Sequence, residues 1–89
     1  MKTILIVDDD SSVRRMLELT FRSAGFATHV AANGAEALRT LDETPCDLVI
    51  LDMVMPEKEG IETLIQLKER NPCPSIIAIS GGARFGLTG

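Results

Sequence analysis

Three short runs in this chain carry no polar residue: Ile4–Val7, Leu48–Leu51 and Ile76–Ile79. Each is rich in β-branched residues, and each ends at a polar group, Asp8, Asp52 and Ser80 respectively. A strand with one wet face alternates apolar and polar residues. A strand that is apolar along its whole length is buried on both faces, which is the mark of a parallel sheet covered by helices on each side. This feature narrows the fold more than any other.

The intervening segments supply the covering helices. In "SSVRRMLELTFRSAG", residues Val13, Met16, Leu17, Thr20, Phe21 and Ala24 recur at the spacing of one helix face. Asp10 or Ser11 can cap its start, and Gly25 stands where a left-handed terminating residue belongs. "FATHVA" (26–31) alternates and reads as a more polar strand at the sheet edge. Asn33 caps a second helix through Leu41, with Ala37, Leu38 and Leu41 inward. A third helix follows Gly60, with Ile61, Leu64 and Ile65 expected to face the core and Asn71-Pro72 as its stop. The order βαβαβαβ predicts an α/β fold with a doubly wound parallel sheet. The fourth strand leaves an apolar edge unless something pairs with it. That suggests a domain missing its C-terminal part, or an oligomer formed through the open fourth strand.

Composition bounds the function. Eighty-nine residues make one small domain, and a net charge of -4 with no block of Lys or Arg argues against nucleic acid and anionic membrane as partners. No apolar run exceeds five residues, too short to span a bilayer. The first strand begins at once, without a secretion signal, so the expected location is cytoplasmic. Cys46 and Cys73 each lie beside a proline just before an apolar run. Two thiols with no neighbouring histidine read as buried free cysteines rather than a metal site.

In a doubly wound sheet, ligands bind beyond the carboxyl ends of the strands. Asp8, Asp9 and Asp10 follow the first strand and Asp52 ends the third. If those strands are neighbours, their acids converge and need a cation or raised pKa values. Mg2+ suits a site of one or two carboxylates plus waters and a phosphate, and a carboxylate can itself act as the nucleophile that becomes an aspartyl phosphate.

An apolar strand ending in Asp8-Asp9, a second ending in "LDMVMP" with Gly60 beyond, and a third ending in Ser80-Gly81 resemble the receiver domain of two-component response regulators. The resemblance implies a flavodoxin-like sheet of order 2-1-3-4, with the family's fifth strand and last helix missing from residues 1–89. It implies that Asp52 is the phosphoacceptor for a sensor histidine kinase. Asp8, Asp9, Asp52 and the backbone carbonyl of Val54 would hold Mg2+, Ser80 would contact the phosphoryl group as a switch, and Pro56 and Gly60 would shape the adjoining loop. Such a domain catalyses only its own phosphorylation and dephosphorylation. The family's lysine at the end of a fifth strand has no counterpart among Lys2, Lys58 and Lys68.

Two rival readings use the same residues. "ILIVDDDSSV" also fits the haloacid-dehalogenase pattern, a phosphohydrolase with Asp8 as nucleophile and Asp10 as acid/base. That reading leaves Asp52, Pro56 and Gly60 without a role. The other rival is a non-phosphorylated assembly module that pairs through its fourth strand.

Overall fold

The computed structural model describes residues 1–53 and 59–79. Among them run β1 (Thr3–Val7), α1 (Ser11–Ser23), β2 (Ala27–Ala31), α2 (Gly34–Glu43), β3 (Leu48–Asp52), α3 (Glu59–Lys68) and β4 (Ser75–Ile79). The strands form one parallel sheet in the order β2-β1-β3-β4. The parallel sheet is the one expected from the apolar runs, and its order is the flavodoxin-like one that the family resemblance implies.

The two central strands divide the interior into two layers. Leu5, Val7, Val49 and Leu51 face α2 and α3, where Ala31, Ala37, Leu41 and Leu67 complete a buried cluster. Ile4, Ile6 and Ile50 face the other way, against Leu17, Phe21 and Phe26. The consecutive residues Ile4, Leu5, Ile6 and Val7 are all between 0% and 2% exposed. Such burial requires cover on both faces, so the run could not have been a half-wet strand.

Local signals set the helix ends. The Asp10 carboxylate accepts the Ser12 and Val13 N–H groups at 2.8 and 3.3 Å and so caps α1. Beyond its other end, Gly25 takes φ +96°, a conformation that side chains with a Cβ resist. Asn33 caps α2 by accepting from Glu36 N–H at 2.9 Å.

Three expectations need correction. In α3 the buried residues are Gly60, Thr63 and Leu67, whereas Ile61 and Ile65 are 51% and 53% exposed. Of the buried residues, Thr63 meets α2 at Gly34, where the approach is close. A methyl group added at Gly34 would run into the Thr63 hydroxyl. Next, β4 is the outermost strand among the described residues, and Ile77 on it is 51% exposed rather than buried. Finally, the cysteines are not core thiols: Cys46 is half-buried and Cys73 exposed.

The α2–α3 contact yields a test. Gly34→Ala is expected to lower unfolding free energy by about 1–3 kcal/mol through overpacking. Adding Thr63→Ala should recover most of that loss, as read from urea midpoints of the single and double variants. Equal losses in both would mean that the helices do not meet there.

Candidate functional site

The parallel register of β1 and β3 pairs Val7 with Leu51. The next residue on each strand is an aspartate, so Asp8 and Asp52 leave the sheet side by side. Asp52 is the last residue of β3 and faces Ile79 on its other side. The chain is held on both flanks there: Asp8 N–H donates to the Ala31 carbonyl at 3.1 Å, and Met53 N–H to the Ile79 carbonyl at 2.7 Å. A carboxylate at the end of a strand fixed on two sides has little freedom to drift.

Asp8 and Asp52 are 2% and 5% exposed, while Asp9 is exposed. One carboxylate oxygen from each of Asp8, Asp9 and Asp52 can lie within 4.8 Å of the others. The Asp8 carboxylate is unevenly satisfied. Its Oδ1 accepts Asp10 N–H at 2.9 Å, but its Oδ2 is buried with no hydrogen-bond partner among the described residues. Desolvation pushes its pKa above the ordinary carboxylate value of 3.8, and the charges of Asp52, Asp9 and Asp10 push the same way. The Asp10 backbone N–H opposes them.

A buried carboxylate with one oxygen unpartnered among the described residues, clustered with two more acids, is what a small hard cation would complete. Oxygen donors of this kind suit Mg2+ far better than a softer metal. The residues present therefore fit the ion expected from the sequence. Asp10 stands apart from the cluster, because its side chain is committed to capping α1.

Of the other site residues, Gly60 is placed and Val54, Pro56 and Ser80 lie outside the described residues. Gly60 sits inside the first turn of α3, not in a loop. The constraint on it is spatial rather than conformational. A Cβ there would lie 2.8 Å from the Met53 Cα and carbonyl oxygen and 2.9 Å from the Asp52 carbonyl oxygen. Helix α3 thus starts in direct contact with the backbone that carries Asp52.

Two residues near the acids escaped the sequence reading. The Glu59 carboxylate accepts Gly34 N–H at 2.6 Å and joins the start of α3 to the start of α2. Arg14 donates from Nη1 to the Asp8 carbonyl at 2.7 Å, bracing the turn after β1. An acid immediately before Gly60 was the available hint for the first. Nothing in the spacing marked the second.

The raised Asp8 pKa has a stability consequence. Below pH 3.8 this group is protonated in both folded and unfolded chains and brings no penalty. As pH rises through the interval up to the raised folded value, the unfolded chain releases its proton first and folding loses stability. Asp8→Asn keeps an acceptor for Asp10 N–H and removes the charge. In chelator, the variant is expected to gain stability over the parent as pH rises through that window, as read by urea unfolding at several pH values. A difference independent of pH would show that the Asp8 charge carries no folding penalty.

Comparison with known proteins agrees with this geometry. The family described as response regulator receiver domain matches residues 4–85. The response regulator receiver protein CpdR of Brucella abortus is 39% identical over 87 residues, covering 98% of this chain and 72% of its own length. The regulatory protein AtoC of Escherichia coli is 40% identical over 80 residues, or 90% of this chain. The chain spans only 17% of AtoC, which is a much longer protein. Among solved structures, response regulator TrrA of Thermotoga maritima, in complex with Mg(2+)-BeF, superposes with a TM-score of 0.83 at 33% identity, over 99% of this chain and 78% of that one. Chemotaxis response regulator CheY4 of Vibrio cholerae gives 0.81 at 31% identity, over 88% and 67%. With its strand order, its acidic cluster and these likenesses in agreement, the chain belongs to the response regulator receiver domain family of two-component signalling.

Proposed function

We propose that this chain is a Mg2+-dependent phosphorylation switch that accepts a phosphoryl group from a sensor histidine kinase onto Asp52. The observation that carries the reading is the meeting of Asp8, Asp9 and Asp52 at the ends of two paired strands. The Mg(2+)-BeF complex of TrrA supports the choice of ion by analogy.

Asp8, Asp9 and Asp52 would hold the ion, with the Val54 carbonyl as a further donor. When bound, Mg2+ offsets the clustered negative charge and the charge on the transferring phosphoryl group. The chain's own part is positioning. Strand β3 presents the Asp52 carboxylate, whose oxygen attacks phosphorus in line as the N–P bond of phosphohistidine breaks and the imidazole leaves. Gly60 keeps α3 close against that strand end, Pro56 shapes the intervening loop, and the Ser80 hydroxyl serves as the switch contact with the phosphoryl group. Signalling is then a population shift between two conformations, driven by new contacts to the phosphate. The expected setting is cytoplasmic, and no helix among the described residues is long and apolar enough to cross a membrane. In this role the chain modifies itself and turns over no external substrate.

The hydrolase reading fares worse on geometry. It needs Asp10 as a proton donor beside Asp8, but the Asp10 carboxylate accepts two backbone N–H groups of α1. It also gives no purpose to Asp52 within the cluster.

With acetyl phosphate and Mg2+, the parent chain should gain one phosphoryl group in its intact mass, and chelator should prevent the gain. Asp52→Asn should abolish it and Asp10→Asn should not. Persistence in Asp52→Asn with loss in Asp8→Asn would overturn the reading in favour of a nucleophilic Asp8.

A further inference from the structure

The end of the sheet opposite the acids holds the two cysteines. Cys46 lies two residues before Leu48, the first residue of β3, and Cys73 lies two residues before Ser75, the first of β4. Leu48 and Ser75 are register partners, and the pairing runs further back, since Ser75 N–H donates to the Asp47 carbonyl at 3.2 Å. This contact brings the segments carrying Cys46 and Cys73 together at the same end of the sheet. Neighbouring strands lie about 4.8 Å apart, and a disulfide spans Cα separations of about 4.4–6.8 Å. Both cysteines also line one open cavity of about 470 Å³, together with Leu41, Arg70 and Pro72. Each thiol makes a local hydrogen bond, Cys46 Sγ to the Thr44 carbonyl at 3.4 Å and Cys73 Sγ to the Pro74 carbonyl at 3.3 Å. A change of side-chain rotamer can release either one.

We propose that Cys46 and Cys73 are a thiol pair that closes reversibly into an intramolecular disulfide, joining the starts of β3 and β4. The oxidant class is a peroxide. Cys73 is exposed and reacts first, its thiolate sulfur attacking the O–O bond to give a sulfenic acid and hydroxide, which leaves as water after protonation. The Cys46 sulfur then attacks the Cys73 sulfur, an S–S bond forms, and the expelled hydroxide takes the Cys46 proton to leave as a second water. Each sulfur loses one electron and the two peroxide oxygens are reduced. The order fits the surroundings: Cys46 is half-buried, and desolvation together with the nearby Asp47 charge pushes its thiol pKa up. That keeps it a thiol until a sulfenic acid stands beside it.

Because the bond ties together residues 46 and 73, the segment carrying Asp52 and α3 becomes a closed loop. Asp52 sits at the far end of β3, and Asp8 and Asp9 follow β1, so the acid site lies away from the bond.

The experiment is treatment of the folded chain with one equivalent of hydrogen peroxide, then alkylation, intact mass and peptide mapping, repeated in urea. The expected result is a monomer that has lost two hydrogens and no longer alkylates. Its peptides should be linked Cys46 to Cys73, a thiol reductant should reverse the link, and it should form several-fold faster in the folded chain than in urea. Cys73→Ser should leave Cys46 alkylatable, and Cys46→Ser should leave a trappable sulfenic acid or a disulfide-linked dimer. Bond formation no faster in the folded chain than in urea, or sulfinic acid or dimer as the only product of the parent, would overturn the proposal.

Discussion

The geometry of the acid site follows from one pairing. Strands β1 and β3 lie side by side, parallel and in a register that sets Val7 opposite Leu51. A shift of one residue would turn the core side chains of one strand to the wrong face and separate the acids along the sheet. The hydrophobic effect therefore enforces the position of the carboxylates. Burial of Leu5, Val7, Val49 and Leu51 against α2 and α3, and of Ile4, Ile6 and Ile50 against α1, leaves a single register that satisfies both layers. Asp8 and Asp52 are carried to their places by the residues before them.

That placement opposes stability. A buried carboxylate with one unpartnered oxygen beside two more acids is a poor arrangement for a metal-free fold. The surroundings offset it only in part, through the Asp10 N–H to Asp8 Oδ1. Such local conflict within an otherwise consistent core is characteristic of a site kept for chemistry. A second support comes from the other direction. Glu59 bonds the start of α2, and Gly60 lets α3 press on the Asp52–Met53 backbone, so the exit from β3 is held between two helices.

Much of this was legible before the structure. Continuous apolar strands, the caps Asp10 and Asn33 and the turn at Gly25 are local signals with direct physical causes, and the strand order and acid cluster follow from them once β1 and β3 are neighbours. What could not be read depends on distances between segments far apart in sequence. On α3, Leu64 packs against the core as expected, but Ile61 and Ile65 do not, and the close fit of Thr63 against Gly34 had no hydrophobic signal. Gly60 drew attention as a flexible residue, but its role is to permit close approach. Glu59 and Arg14 were given no role in the sequence reading because their partners are backbone groups, which carry no sequence signature. The cysteines looked like core thiols because they flank apolar runs. Only the fold shows that both line one cavity at the end of the sheet opposite the acids.

The most direct test is a two-dimensional amide spectrum of the chain titrated with Mg2+. Saturable movement of the Asp8, Asp9, Asp52 and Met53 signals, lost in Asp8→Asn, is the expected result. Dispersed signals that ignore Mg2+, or that move only at surface acids such as Asp42 and Glu43, would contradict the claim that the paired strand ends build a cation site around Asp52.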